Sequence, residues 1–368
     1  MSSVFPACQA CRQPYPSTGF PFRCPACGSL FDYLVPWTFD LAAVESAQPG
    51  IFRYRHTFGL PPEAQPVSLG EGGTPLVWGR AFGRQVAFKC EFLNPTGSFK
   101  DRGSALMVTW LKWRGQAEAV EDSSGNAGAS FAAYAARAGL RARVFVPASA
   151  SGPKRAHILA CGADLVPVAG SRSDVTEAVL REAERGVAYA SHAALPFNLP
   201  GYATAAYEIF EQLGGEMPGA VIVPAGQGGL LVGLSRGFEA LRVAKINRNE
   251  QKFPKMVAVQ ARACAPLWSA FVGERDAIAV EKPTLAEGVR VRRPLRLEAV
   301  LSAVTASGGM VVAVEERAIL PGRDALARLG FYVEPTSALV WSALEQALAV
   351  LPDPLVVILT GSGYKYAP

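Results

Sequence analysis

The sequence predicts an α/β protein built on mostly parallel, doubly wound sheets, and three observations lead there. Short β-branched runs alternate with Ala-rich helical stretches from about Pro75 onward. The strand candidates are continuous apolar runs, as in strands covered on both faces. A chain of 368 residues exceeds what one compact core usually spans, so two or three structural units are expected. Half of the residues are hydrophobic and 18% are charged, which suits large buried cores and excludes a disordered chain.

From the N-terminus, the first unit is short. Cys8-x2-Cys11 and Cys24-x2-Cys27 are separated by a stretch rich in Pro, Gly and aromatics. Four thiolates so spaced suit a tetrahedral structural zinc ion, and with Cys at every position no coordination site is left for catalysis. The alternative is a clip that is empty or oxidised. The stretch from Phe31 to Pro75 is irregular and Pro-rich, and reads as a linker to the main body. Beyond it, Ala117–Glu121 reads as a strand leading into a helix over Ala127–Ala138, and Ala220–Val223 as one leading into Leu230–Leu241. Ala142–Val146, Val257–Gln260 and Leu355–Leu359 read as further buried strands. Such alternation implies βαβ units, whose ligands bind at the carboxyl ends of the strands.

Three strand-end loops stand out. Asp122-Ser-Ser-Gly-Asn-Ala-Gly128 precedes an Ala-rich helix, and offers Ser N-caps and helix-start amides suited to a carboxylate; a simple capped turn is the other reading. Pro224-Ala-Gly-Gln-Gly-Gly229 has three glycines that let backbone N–H groups approach a phosphate. It is not the dinucleotide fingerprint: Leu231 stands at the third glycine position, and about twenty residues on come Lys245 and Asn247, with no clear acidic ribose ligand. Thr360-Gly-Ser-Gly363 follows the last apolar run, where a hydroxyl can make one directed hydrogen bond to a flat ligand, or close an ordinary turn. Lys100, in Asn94-Pro-Thr-Gly-Ser-Phe-Lys100-Asp-Arg-Gly103, has an aromatic neighbour and nearby Arg102, which both favour a neutral, nucleophilic amine; by itself it would be a surface lysine.

The bulk numbers exclude other classes. The net charge of +5 is small and scattered, which does not argue for nucleic acid. No run of about 18 apolar residues suggests a membrane span, and no secretory signal is evident. Cys90, Cys161 and Cys264 stand alone beside the two tight pairs, which fits a reducing cytoplasm better than a disulfide framework.

Taken together, the Asn94–Gly103 segment, Ser123-Ser-Gly-Asn126, Gly226–Gly229, Glu334-Pro-Thr-Ser-Ala338 and Thr360-Gly-Ser-Gly363 resemble the fold-type II (tryptophan synthase β-like) pyridoxal phosphate (PLP) enzymes, and the threonine synthase group in particular. The resemblance covers roughly residues 70 to 366, and several members of that group also carry a four-cysteine clip. It implies a zinc-ribbon-like segment (1–35), a large PLP-binding domain (36–100 and 200–368) and a small mobile domain (101–199), both doubly wound. Lys100 would hold PLP as a Schiff base and later act as base at the substrate α-carbon. Asn126 would bond the cofactor's phenolic oxygen, and Ser123, Ser124, Gly125 and Asn126 the substrate carboxylate. Gly226, Gln227, Gly228 and Gly229 would cradle the phosphate, Thr360 face the ring nitrogen, and Glu287 with Gly288 line the ring. Structural zinc on Cys8, Cys11, Cys24 and Cys27, an amino-acid substrate and a homodimer follow by the same resemblance. One segment departs from the group: Ser191-His192-Ala-Ala-Leu-Pro-Phe-Asn198-Leu-Pro-Gly201 lacks the expected Arg. Ser191, His192 and Asn198 stand there as candidate substrate ligands. The implied reaction is conversion of O-phospho-L-homoserine and water to L-threonine and phosphate; a serine/threonine dehydratase or a cysteate synthase-like β-replacement enzyme is the alternative. A zinc-ribbon binding protein with an inactive body is more remote.

Overall fold

A computed structural model describes residues 5–149, 152–244, 253–274 and 282–366. Lys245 and Asn247 lie outside the described residues. In chain order the first elements are β1 (Ala7–Cys8), β2 (Phe31–Asp32), β3 (Leu76–Ala81), β4 (Arg84–Lys89), α1 (Lys100–Trp113), β5 (Glu118–Glu121), α2 (Asn126–Ala138), β6 (Arg141–Pro147), α3 (Pro153–Ala160), β7 (Asp164–Val168), α4 (Arg172–Glu184) and β8 (Ala188–Tyr189). There follow α5 (Asn198–Gln212), β9 (Ala220–Pro224), α6 (Gly229–Val243), β10 (Lys255–Ala261), α7 (Pro266–Phe271), α8 (Leu297–Ala306), β11 (Met310–Val314), α9 (Ile319–Arg328), α10 (Pro335–Ala347) and β12 (Leu355–Ile358). The described residues form two compact units: one of residues 5–72, 100–149, 152–201 and Tyr366, the other of residues 73–99 with the described part of 202–365.

The first unit holds a four-stranded, all-parallel sheet in the order β7-β6-β5-β8. Val120, Phe145 and Tyr189 of the sheet pack on Val175 and Val179 of α4. Local signals start and stop its helices: Ser171 and Asp174 form a capping box on α4, and Gly139 ends α2 with φ of 70°. The short β1–β2 pair is antiparallel and carries the cysteine clip. The sulfurs of Cys8, Cys11, Cys24 and Cys27 all lie within 4.8 Å of one another, with Cys8–Cys27 at 3.3 Å and Cys11–Cys24 at 3.6 Å. Tetrahedral zinc at about 2.3 Å from each sulfur needs S···S separations of about 3.8 Å, so the donor set fits that ion. The clip is anchored: Arg114, directly after α1, donates to Pro16 O and Gly19 O, and Tyr15 and Phe20 pack on Phe197.

Residues 36–72, expected with the large domain and partly as a linker, belong to this first unit and are packed. Ile51, Phe52, Tyr54 and Phe58 are fully buried. Val67 N donates to Thr109 Oγ1 at 2.9 Å, and Tyr134 OH to the buried Glu71 carboxylate at 2.7 Å. Aromatics spaced along an irregular segment gain as much from burial as those in a helix, but show no period.

The second unit is a six-stranded sheet in the order β11-β10-β9-β12-β4-β3. All of its pairings are parallel except β3 with β4. Apolar side chains of β4, β9, β10 and β12, among them Phe88, Ile222, Val259 and Val357, pack against Leu339, Val340 and Leu344 of α10. Within this unit Lys89 is fully buried. Its Nζ pairs with Glu208 Oε2 at 2.6 Å, donates to Thr74 O at 2.6 Å and to Gln212 Oε1 at 2.9 Å. Among the described residues no helix is long and apolar enough to cross a membrane.

Two outcomes follow. Lys89→Met leaves Glu208 buried without its counter-charge and lowers the unfolding free energy by about 3–5 kcal/mol in urea titrations, most of it recovered by adding Glu208→Gln. Zinc co-purifies stoichiometrically with the chain by elemental analysis, and Cys11→Ser loses it together with thermal stability.

Candidate active site

Each unit carries some of the candidate residues. In the first, Lys100 opens α1 and Glu121 closes β5. The loop after β5 does not use a Ser as cap: the N-cap of α2 is Gly125, with no side-chain cap hydrogen bond. Ser123 Oγ instead accepts from Gly125 N at 3.2 Å. The expected Ser cap gives way because the loop folds over the first turn of α2; a Cβ at Gly128 would stand 1.8 Å from Ser123 O. The start of α2 thus keeps backbone amides without a side-chain cap, beside Ser123, Ser124 and Asn126. Asp122 is turned to the other side, where Arg172 pairs with it at 2.7 Å and Thr176 donates to it at 3.0 Å.

The structure adds one residue that sequence reasoning missed. Glu121 is fully buried; it bonds His192 Nδ1 through Oε1 at 2.7 Å and accepts from Ser123 N through Oε2. No strand pattern distinguishes a buried Glu at a strand end from an exposed one, so only the fold reveals it. Asn198 begins α5, donates to His192 O at 3.1 Å, and its Oδ1 is buried without a partner. Ser191 Oγ is occupied locally, accepting from Ala194 N.

In the second unit, α6 starts at the glycine loop. Gly228 is its N-cap, with φ of 87° and no side-chain cap. A Cβ at Gly226 would lie 2.8 Å from Gly288 O, and one at Gly228 would lie 2.3 Å from Val300 Cγ2. These glycines are required by neighbouring chain as well as by any ligand. Gln227 uses Oε1 to accept from Leu295 N at 3.0 Å. Glu287 is exposed, on a short turn before Val289. Thr360 is buried at the end of β12, where its O accepts from Phe99 N at 3.1 Å and its Oγ1 meets Ser337 Oγ at 2.9 Å. Ser362 N donates to Gly97 O at 3.0 Å, so Gly97–Phe99 runs antiparallel beside Thr360–Ser362. Two open surface depressions, of about 440 and 420 Å³, are lined by residues 42–62 and by residues around 216–219 and 352–354, and include none of these positions.

Burial pushes Glu121 up to about 7, against the opposing charges of Arg172 and Lys100. Burial also holds His192 well below its ordinary value, helped by Lys100. Both shifts favour the neutral forms, so the contact is a hydrogen bond and not a full charge pair. Between about pH 4.5 and 7 folded Glu121 keeps a proton that the unfolded chain has lost, so its effect on stability worsens as pH rises. His192 acts in reverse, costing stability as pH falls below its ordinary value. Glu121→Gln removes the first effect alone. In urea unfolding its stability relative to the parent should rise from about pH 5 to about pH 8, by on the order of 2–3 kcal/mol; a difference flat with pH would contradict the assignment.

Comparison with known proteins gives the family. The family model for "pyridoxal-phosphate dependent enzyme" matches residues 67–361. A threonine synthase of Methanocaldococcus jannaschii is 32% identical, over 97% of this chain and 92% of that protein. One of Methanosarcina acetivorans is 30% identical, over 96% of this chain and 90% of its own length. Among solved structures, a threonine deaminase of T.th. superposes with a TM-score of 0.66 at 28% identity, covering 80% of this chain and 94% of that one. The chain belongs to the pyridoxal-phosphate-dependent enzyme family and has its α/β, fold-type II architecture.

Proposed function

We propose that this protein is a threonine synthase-like lyase, converting O-phospho-L-homoserine and water to L-threonine and phosphate, with Lys100 as the residue that carries PLP. The observation that carries this reading is the pairing of Gly97–Phe99 with Thr360–Ser362. It sets the residue directly before Lys100 against the backbone of the threonine expected to meet the cofactor ring. The residues fit PLP: α6 begins on glycines where a Cβ would strike neighbouring chain, with its first amides free of a side-chain cap. PLP, when bound, supplies the electron-withdrawing group that makes an amino acid's α-proton removable.

The chain's own residues do the rest. Gly226 to Gly229 bind the cofactor phosphate through backbone N–H groups. With PLP bound, Thr360 would offer a neutral hydroxyl to the ring nitrogen, and Glu287 with Gly288 would line the ring. Ser123, Ser124, Gly125 and Asn126 hold the substrate carboxylate at the start of α2, with Asn126 also reaching the phenolic oxygen. Lys100 Nζ removes the α-proton and returns protons along the reaction. A neutral partner at the ring nitrogen favours elimination or replacement at Cβ or Cγ over transamination.

A second reading, a serine/threonine dehydratase or β-replacement enzyme, is favoured by one observation. Residues 191–201 contain no Lys or Arg, and their sole ionisable side chain, His192, is held neutral beside Glu121. A phosphate carried by the substrate would find no cation from that segment. The seven free cysteines support a cytoplasmic setting. The edge strand β3, with Val77 40% and Trp78 50% exposed, supports a homodimer.

Phosphate release and threonine formation from O-phospho-L-homoserine test the proposal. Lys100→Ala should lower the rate on the order of 10³-fold and abolish visible cofactor absorbance. Oxoacid and ammonia from serine or threonine, without phosphate release from phosphohomoserine, would replace the first reading by the second.

A further inference from the structure

The first turn of α10 presents two consecutive hydroxyls, and each is committed to the backbone of a different loop assigned above to the cofactor. Thr336 Oγ1 accepts from Gly288 N at 3.0 Å, and Ser337 Oγ accepts from Gly361 N at 2.9 Å. Ser337 is fully buried. The fit is close, since a Cβ at Gly288 would lie 2.9 Å from Thr336 Oγ1. The turn itself is tied to the same strand end, with Glu334 N donating to Gly361 O at 3.0 Å.

The distances favour one direction for the hydrogen bond at Ser337. A backbone N–H can only donate, so Gly361 N occupies a lone pair of Ser337 Oγ. The single Ser337 proton then has two acceptors near it: Thr360 Oγ1 at 2.9 Å and Gly361 O at 3.4 Å. The first distance lies in the normal O–H···O range and the second outside it. The shorter contact favours Ser337 as donor to Thr360 Oγ1, an arrangement that leaves Thr360 its own proton for another partner.

We propose that Ser337, with Thr336 beside it, is a positioning residue that presents the Thr360 hydroxyl as a hydrogen-bond donor to the ring nitrogen of the cofactor. This rests on the reading that Thr360 faces that nitrogen. A donor is useful there only to a ring nitrogen that keeps its lone pair, so Ser337 sets the protonation state of the ring through Thr360. Without the Ser337 proton, Thr360 Oγ1 is free to rotate and accept, and a protonated ring nitrogen becomes tolerable.

The experiment reconstitutes the full chain with PLP labelled with ¹⁵N in the ring, and follows the ring-nitrogen resonance and the visible band against pH. Parent, Ser337→Ala and Ser337→Cys are compared, with the melting temperature of each cofactor-free chain as control. Ser337→Ala should move the resonance toward the protonated position and weaken PLP binding about fivefold, as for one lost hydrogen bond. The cofactor-free melting temperature should fall by a few degrees as buried Gly361 N loses its acceptor, so the ring-nitrogen resonance and not stability is the deciding readout. Ser337→Cys, a weaker donor of similar size, should fall between, and decides the matter if the Ala variant does not fold. A resonance that matches the parent in the folded variants at every pH overturns the role of Ser337 while leaving the PLP reading intact. A parent chain that takes up no PLP, with no band lost in Lys100→Ala, overturns both.

Discussion

The short antiparallel run between Gly97–Phe99 and Thr360–Ser362 is the constraint on which the second unit's chemistry depends. Side chains alternate along a strand, so a slip of one residue would turn Ser98 and Thr360 to the wrong sides and start α1 from a different place. Several contacts prevent that slip. Gly97 has φ of 78°, and a Cβ there would lie 2.9 Å from Lys365 Cδ. Lys365 Nζ holds Thr96 O at 2.6 Å. On the other side, Glu334 N and Tyr332 O bond Gly361 O and Gly363 N, so the segment after β12 is gripped along both edges.

A buried polar network stands behind this run. Lys89, Glu208, Gln212 and Thr74 form one part; Thr74 Oγ1 then donates to Glu91 at 2.7 Å, and Asn94 Nδ2 to the same carboxylate at 3.0 Å. Buried charges add little net stability, but each unmet partner is costly, so few arrangements satisfy all of them at once. The network thus ties β4 and α5 to the turn at Asn94, six residues ahead of Lys100.

In the first unit the decisive terms are backbone space and solvation. Gly128 lets the Ser123–Gly125 loop close over α2, which leaves helix-start amides for an anion. Burial away from water raises the Glu121 carboxyl to about 7 and holds His192 well below its ordinary value, so both neutral forms are favoured over their charged ones. The charges of Arg172 and Lys100 reach this buried pair, although residues 191–201 themselves contribute no cation.

The sequence alone determined the parts governed by local patterns. Continuous apolar runs located β6, β9, β10 and β12, because a strand covered on both faces needs no alternation. Paired Cys-x2-Cys spacing located the clip, because two knuckles bring four sulfurs together whatever follows. Motif order marked Lys100, the Gly226–Gly229 loop and Thr360. The tertiary structure decided what depends on partners distant in sequence. The β3–β4 pairing was missed because an edge strand is half exposed and carries only part of the apolar signal. Residues 36–72 read as a linker because their buried aromatics follow no period. Glu121 was silent, and Ser337 stood out only as part of the Glu334–Ala338 segment without a role, because a buried carboxylate and the partners of a buried hydroxyl are properties of surroundings that exist only once the chain has folded.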